Sequence, residues 1–93
     1  MKKDTARSEL YQLFLLLKDE KEIETFFNDL FTPSELHALT ERWQIVKRLL
    51  SGRPQREIAQ ELGIGIATVT RASRCLKYGP GGFEMMWKKS QES

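Results

Sequence analysis

The run from Gln55 to Lys77, QREIAQELGIGIATVTRASRCLK, restricts this chain more than any other feature. Ile58 and Leu62 stand four apart, on one face of a short helix, and Gly63 follows at once. Glycine is the residue that most readily adopts the positive φ at which a helix closes. A second helix is predicted from near Ile66, with Val69, Ala72, Ser73 and Leu76 on one stripe. Ala59 puts a small side chain where two helices crossing at an angle must approach closely. The small residue, the glycine corner and a buried Val69 together predict a helix-turn-helix in preference to an ordinary helical hairpin. The outward face of the second helix is then Ala67, Thr68, Thr70, Arg71 and Arg74. No Asp or Glu occurs from Gly63 to Gly82, so nothing there repels a phosphate backbone.

The charge distribution points the same way. The whole chain of 93 residues has a net charge of only +2. From Met1 to Val46 six basic residues face nine acidic ones, whereas from Lys47 to Lys77 seven face two. Positive charge gathered around one motif implies a polyanionic partner at that motif. The length suits a single domain, 1–93, with a small core. Cys75 is the only cysteine and His37 the only histidine, which excludes an intrachain disulfide and the usual zinc sites. Cys75 itself is read as a small, half-buried helix residue. No His, Cys and carboxylate set is clustered as catalysis requires, so no catalytic residue, metal ligand or enzymatic activity is expected. MKKDTARSE lacks the apolar core of a secretory signal, and LYQLFLLL is too short to span a bilayer. A cytoplasmic protein without a membrane partner follows.

Elsewhere the pattern is helical throughout, with no strand signal. A first helix is predicted over Asp4–Asp19, with Leu10, Leu13, Phe14 and Leu17 as its stripe and Leu15 and Leu16 widening it. Apolar width of that kind asks for a subunit interface. A second helix is predicted over Lys21–Phe31. Thr32-Pro33-Ser34-Glu35 starts a third with a capping box and a first-turn proline. It carries Leu36, Leu39, Trp43, Val46 and Leu50, with Ile45 and Leu49 as a second strip, and ends at Gly52. Arg42 beside that stripe is expected to be solvated or paired with Glu35 or Glu41. After the breaker Gly79-Pro80-Gly81-Gly82, a short helix over Phe83–Lys89 brings Phe83, Met86 and Trp87 to the core and leaves a frayed tail.

The segment TPSELHALTERWQIVKRLLSG, followed by PQREIAQELGIGIATVTRASRCLK, resembles the tryptophan operon repressor family. The resemblance covers Thr32 to Lys77, about half the chain, and is most specific at Gln55-Arg56-Glu57, Glu61-Leu62-Gly63 and Gly65 to Arg71. It implies an all-α, six-helix subunit in an intertwined homodimer. It implies double-stranded DNA as the partner, with Arg56, Gly65, Ile66, Ala67, Thr68, Thr70 and Arg71 at the interface. Ala59 stands where the repressor has a DNA-contacting lysine. The resemblance also implies an L-tryptophan site at Thr32, Arg42 and Arg71, and there the chain departs from its family. Ala72 replaces the glycine against which the indole lies, and Cys75 replaces the serine near the ligand's amino group. A methyl intrudes on a flat ring, and a thiol is a poor acceptor for an ammonium. RCLKYG is similar to a Trp-repressor-like subgroup whose ligand is not established.

The leading expectation is a homodimeric, sequence-specific transcriptional regulator, a repressor, that reads a palindromic operator without L-tryptophan and needs no cofactor. The alternatives are an L-tryptophan-responsive trp operon repressor and, from another class, a helical module that binds protein through the corner.

Overall fold

Side chains cap the starts of the helices that begin at Glu20 and Pro33, and the first of these caps moves a helix end away from the sequence reading. The structure is a computed structural model that describes residues 2–93. It contains six helices, and no strand among the described residues. The chain divides into two compact units, Met1–Leu36 and His37–Ser93.

In the first unit, α1 (Lys3–Phe14) stops short of the predicted Asp19. Leu16 and Leu17 donate to the carbonyls three residues back, Leu13 and Phe14, so the last turn tightens and unwinds. Asp19 then serves α2 (Glu20–Leu30) instead: its carboxylate accepts from the Glu22 amide at 2.9 Å. Glu22 in return accepts from the Lys18 amide at 3.0 Å. An aspartate is worth more at an N-cap than inside a helix, which is why α1 gives it up. Phe14 packs edge-on to Phe26 and tilted against Phe27, which meets Phe31 in turn. Leu15 and Leu16, read as helical, lie beyond the helix and are 83% and 70% exposed.

α3 (Pro33–Leu50) starts as predicted. The Thr32 hydroxyl accepts from the Glu35 amide at 3.2 Å and Glu35 accepts from the Thr32 amide at 2.8 Å, a reciprocal capping box. These two bonds hold the Glu35 carboxyl below its ordinary 4.5, the Thr32 amide contributing most.

The second unit is built around α4 (Gln55–Leu62) and α5 (Ile66–Tyr78), which make the most extensive helix–helix contact among the described residues. Ile58, Ala59, Val69 and Ala72 are buried together with Ile45 of α3, and Leu49, Leu62 and Ile64 close over them. The strip of α3 that enters this core is therefore Ile45 and Leu49. The stripe ranked first in the sequence is less covered, with Trp43 half-buried and Leu39 exposed, although Val46 is fully buried. α6 (Gly82–Glu92) outruns the predicted Phe83–Lys89 at both ends. Gly81, at φ +95°, precedes its first turn and accepts from the Met85 amide, and the predicted fray after Lys89 is instead helix. Phe83 and Trp87 are half-buried, whereas Met86, expected in the core, is half exposed beside an open groove between α5 and α6.

Candidate nucleic-acid interface

The corner between α4 and α5 is fixed by its backbone. Gly63 has φ +66°, its amide donates to the Gln60 carbonyl, and the Ile64 amide reaches back to the Ala59 carbonyl at 3.0 Å. This pair of bonds is a Schellman closure, and the Ile64 side chain completes it by packing on the core that contains Ala59. Ala59 is only 8% exposed, as close helix crossing requires. A side-chain tie adds to the closure: the Thr70 hydroxyl donates to Gln55 Oε1 at 2.9 Å, joining the first turn of α4 to α5.

Electrostatics then separate the basic residues of this region into two groups. Glu61 on α4 accepts from Arg48 of α3 at 3.3 Å and from Arg53 of the intervening loop. Arg53 also lies 3.8 Å from Glu57. Arg48 is further held by the carbonyl and side chain of Gln44. The hydrogen bond from Arg53 keeps the Glu61 carboxyl below its ordinary value, with Arg48 adding to the effect. Both carboxylates between Lys47 and Lys77 are thus occupied with Arg48 and Arg53. Lys47, Arg56, Arg71, Arg74 and Lys77 have no ion-pair partner among the described residues. The local surplus of positive charge resides in those five side chains.

Gly65, Ile66, Ala67, Arg56 and Arg71 are exposed, with Ile66 half uncovered. Thr68 and Thr70 are half-buried, and Thr70 is already bonded to Gln55 and to the Ile66 carbonyl. The predicted outward face is therefore Ala67, Arg71 and Arg74, with the two threonines at its margin. Arg42 is exposed and has no ion-pair partner among the described residues: Glu35 is committed to Thr32 and Glu41 lies 3.8 Å from His37 Nε2. Cys75, expected to be half-buried, is exposed.

A cleft of about 500 Å³ opens between α3 and α5. Ala38, Glu41, Arg42 and Ile45 line it from α3, and Thr68, Arg71, Ala72, Arg74 and Cys75 from α5. The structure thus brings Arg42, Arg71, Ala72 and Cys75 to one opening. Thr32, the remaining residue of that predicted set, belongs to the first unit, where its hydroxyl caps α3. Five lining residues were not assigned to this site from sequence: Ala38, Ile45, Thr68, Glu41, read only as a counter-ion, and Arg74, read only as outward. The two charged ones stand near residues that were identified, Glu41 next to Arg42 and Arg74 three after Arg71. Among the described residues no group of three or more His, Cys, Asp or Glu could hold a metal ion, and no helix is long and apolar enough to cross a membrane.

A six-helix chain of this fold is the architecture of a known group of proteins. The chain belongs to the Trp repressor family, whose profile, described as Trp repressor protein, matches residues 6–91. It is 39% identical over 88 residues to the uncharacterized protein YerC of Bacillus subtilis (strain 168), covering 91% of this chain and 85% of that one. It is 47% identical over 60 residues to a Trp operon repressor homolog of Vibrio vulnificus (strain YJ016), a match spanning 63% of this chain and 59% of the relative. The crystal structure of a TrpR-like protein from Eubacterium eligens ATCC 27750 superposes with a TM-score of 0.88 at 34% identity, over 96% of this chain and 92% of the other.

Proposed function

We propose that the protein is a homodimeric, sequence-specific DNA-binding regulator, a cytoplasmic repressor of transcription, that occupies a palindromic operator without L-tryptophan. The observation that carries this reading is the set of five unpaired cations around a helix-turn-helix whose only two carboxylates are already engaged. Unpaired lysines and arginines release counter-ions from a phosphate backbone, whereas paired ones do not. The exposed N-terminus of α5, at Gly65, Ile66 and Ala67, adds backbone donors that suit phosphates or water-mediated contacts to bases. Arg56 on α4 and Arg71 on α5 are exposed as well, and Thr68 and Thr70 are half-buried beside them.

The second copy is supported by apolar surface. Leu10, Leu13, Phe14, Leu15 and Leu16 are all more than a third exposed along one short stretch, more than a solvated helix end needs. A two-fold dimer would set its two α5 helices about 34 Å apart, one turn of duplex. Tryptophan independence is supported by Ala72, a buried residue whose methyl occupies the cleft wall. In a close-packed site an additional methyl costs about 1–3 kcal/mol, a loss of roughly tenfold or more in affinity.

Fluorescence anisotropy with labelled duplexes, with and without L-tryptophan, tests the reading, and sedimentation equilibrium at micromolar concentration tests the dimer. Salt-sensitive, sequence-selective binding unchanged by L-tryptophan is the expected result. Salt-independent binding, or none, would favour a protein-interaction module. One observation favours a tryptophan-responsive repressor instead: Arg42 and Arg71 do line a common cleft. Micromolar L-tryptophan that raises operator affinity would establish that alternative.

A further inference from the structure

We propose that Glu61 competes with the phosphate backbone of DNA for the side chain of Arg53, and so holds down binding to duplex of any sequence. The proposal rests on the DNA-binding reading above and adds to it a positioning residue outside the recognition helix. Glu61 commits both carboxylate oxygens to cations: Oε1 accepts from Arg48 and Oε2 from Arg53. The two arginines are held differently. Arg48 also donates to the carbonyl and the side-chain oxygen of Gln44, at 2.9 and 2.8 Å, and its side chain is only 20% exposed. It keeps those partners without Glu61. The Arg53 side chain is 43% exposed, and its other ion-pair partner among the described residues is Glu57, at a looser 3.8 Å. Glu61 is therefore the main hold on the Arg53 guanidinium.

The backbone places Arg53 where that hold matters. Its amide donates to the Arg48 carbonyl at 3.0 Å, so the loop is tied without help from the side chain. Arg53 stands three residues before the exposed Arg56, which limits their Cα separation to roughly 11 Å. A duplex carries one phosphate per about 1.7 Å of its axis, so a guanidinium released beside Arg56 finds one. An exposed ion pair of this kind adds little to stability, and its larger effect is on what Arg53 is free to meet.

Phosphate contacts carry no base information, so a freed Arg53 strengthens operator and non-operator duplex alike. Each such contact adds about 0.9 to the slope of log K against log salt, which is about eightfold in affinity at ~0.1 M salt relative to ~1 M. A residue that reads bases alters the ratio of the two affinities. Glu61 leaves the ratio fixed and lowers both, giving a weaker and more readily reversed hold on any duplex.

The test is fluorescence anisotropy of the full-length protein across a salt series, with a random-sequence duplex pool and with a site selected from that pool. Glu61→Gln should bind both more tightly, by up to about eightfold per subunit at ~0.1 M salt, with a slope steeper by up to about one per subunit and an unchanged ratio. Adding Arg53→Gln should return affinity and slope to the wild-type values. Glu57→Gln removes the same charge, next to Arg56, but only the looser contact, so it should steepen the slope far less. Circular dichroism should show all variants fully helical. No gain in a helical Glu61→Gln, a gain that survives Arg53→Gln, or an equal gain in Glu57→Gln would overturn the proposal. A changed ratio would overturn it too, by assigning Glu61 to base recognition. Arg53→Gln alone gives a check that does not depend on the Glu61 variant: it should leave the slope as in wild type, and a slope flatter by about one per subunit would mean that Arg53 already meets a phosphate and is not withheld. A wild type that binds no duplex would overturn the DNA-binding reading and the competition with it, whereas any of the other adverse results beside a duplex-binding wild type overturns the competition alone.

Discussion

Replacing Ala72 with glycine tests whether its methyl closes the cleft to L-tryptophan, and the structure sets the size of the effect. Ala72 is 6% exposed and belongs both to the core with Ile45, Ile58, Ala59 and Val69 and to the wall of the cleft. Glycine in a helix interior costs about 1 kcal/mol relative to alanine, and the lost burial of one methyl costs about 0.8 kcal/mol more. The space left behind adjoins an open cleft that water can enter, so a further cavity penalty is small. The sum, about 2 kcal/mol, lowers the melting temperature by roughly 10 °C in a domain of this size. A ligand that binds the opened site returns stability by mass action, about 2.7 kcal/mol at a hundred times its dissociation constant. Ala72→Gly with Cys75→Ser should therefore melt about 10 °C below wild type and recover in millimolar L-tryptophan, while the wild-type midpoint stays fixed. Differential scanning calorimetry at constant protein concentration reads both quantities. An unchanged midpoint in the glycine variant would remove Ala72 from the core, and an equal rise in wild type with L-tryptophan would show that the methyl blocks nothing.

Further expectations concern the corner, the charges and pH. Gly63→Ala meets no atom within 4 Å, so its cost is conformational only, about 1–2 kcal/mol for the left-handed backbone; Gly79→Ala fails differently, its methyl lying 2.5 Å from the Cys75 carbonyl oxygen at an ordinary φ. Urea denaturation should show the first variant destabilised with its helix content intact and the second with a frayed end of α5. Arg56→Ala should lower duplex affinity and flatten log K against log salt by up to about one unit per lost phosphate contact per subunit, whereas Thr70→Ala should lose specific affinity through the freed Gln55 side chain, both measured by anisotropy. The lowered Glu61 carboxyl contributes stability that is complete above its ordinary value of 4.5 and is lost as pH falls below it. Glu61→Gln should be less stable at neutral pH and show a shallower acid decline than wild type in urea midpoints taken from pH 7 to 3.

Local chemistry was legible in the sequence and tertiary choice was not. Gly63 and the Thr32–Glu35 box each depend on residues a few positions apart, where spacing alone specifies the geometry. Asp19 carried an equally local signal, an acidic N-cap followed by Glu22, but the apolar run before it outweighed the cap. Which strip of α3 turns inward could not be read from periodicity, because Ile45 and Trp43 both lie on regular apolar rows and only the position of α5 decides between them. The same holds for Glu61, which reaches Arg48 thirteen residues away, and for Gln55, which meets Thr70 across fifteen. The charged cleft residues not read from sequence, Glu41 and Arg74, gain their meaning only when two helices face each other across a gap.

The Schellman closure at Gly63 also bears on how the chain reaches its structure. Its bonds join Gly63 to Gln60 and Ile64 to Ala59, and the tie across the corner spans only fifteen residues. Contacts this near in sequence close small loops and form early, since little chain entropy is lost before they are made. The stretch from Ile45 to Ala72 holds the whole buried cluster, so it can assemble before any second chain arrives. After dilution from denaturant, helix signal should return in a phase whose rate is independent of protein concentration. If a second copy covers Leu15 and Leu16, as proposed, their burial should follow in a slower phase that accelerates as protein concentration rises. The recognition surface would then be finished first and duplicated afterwards.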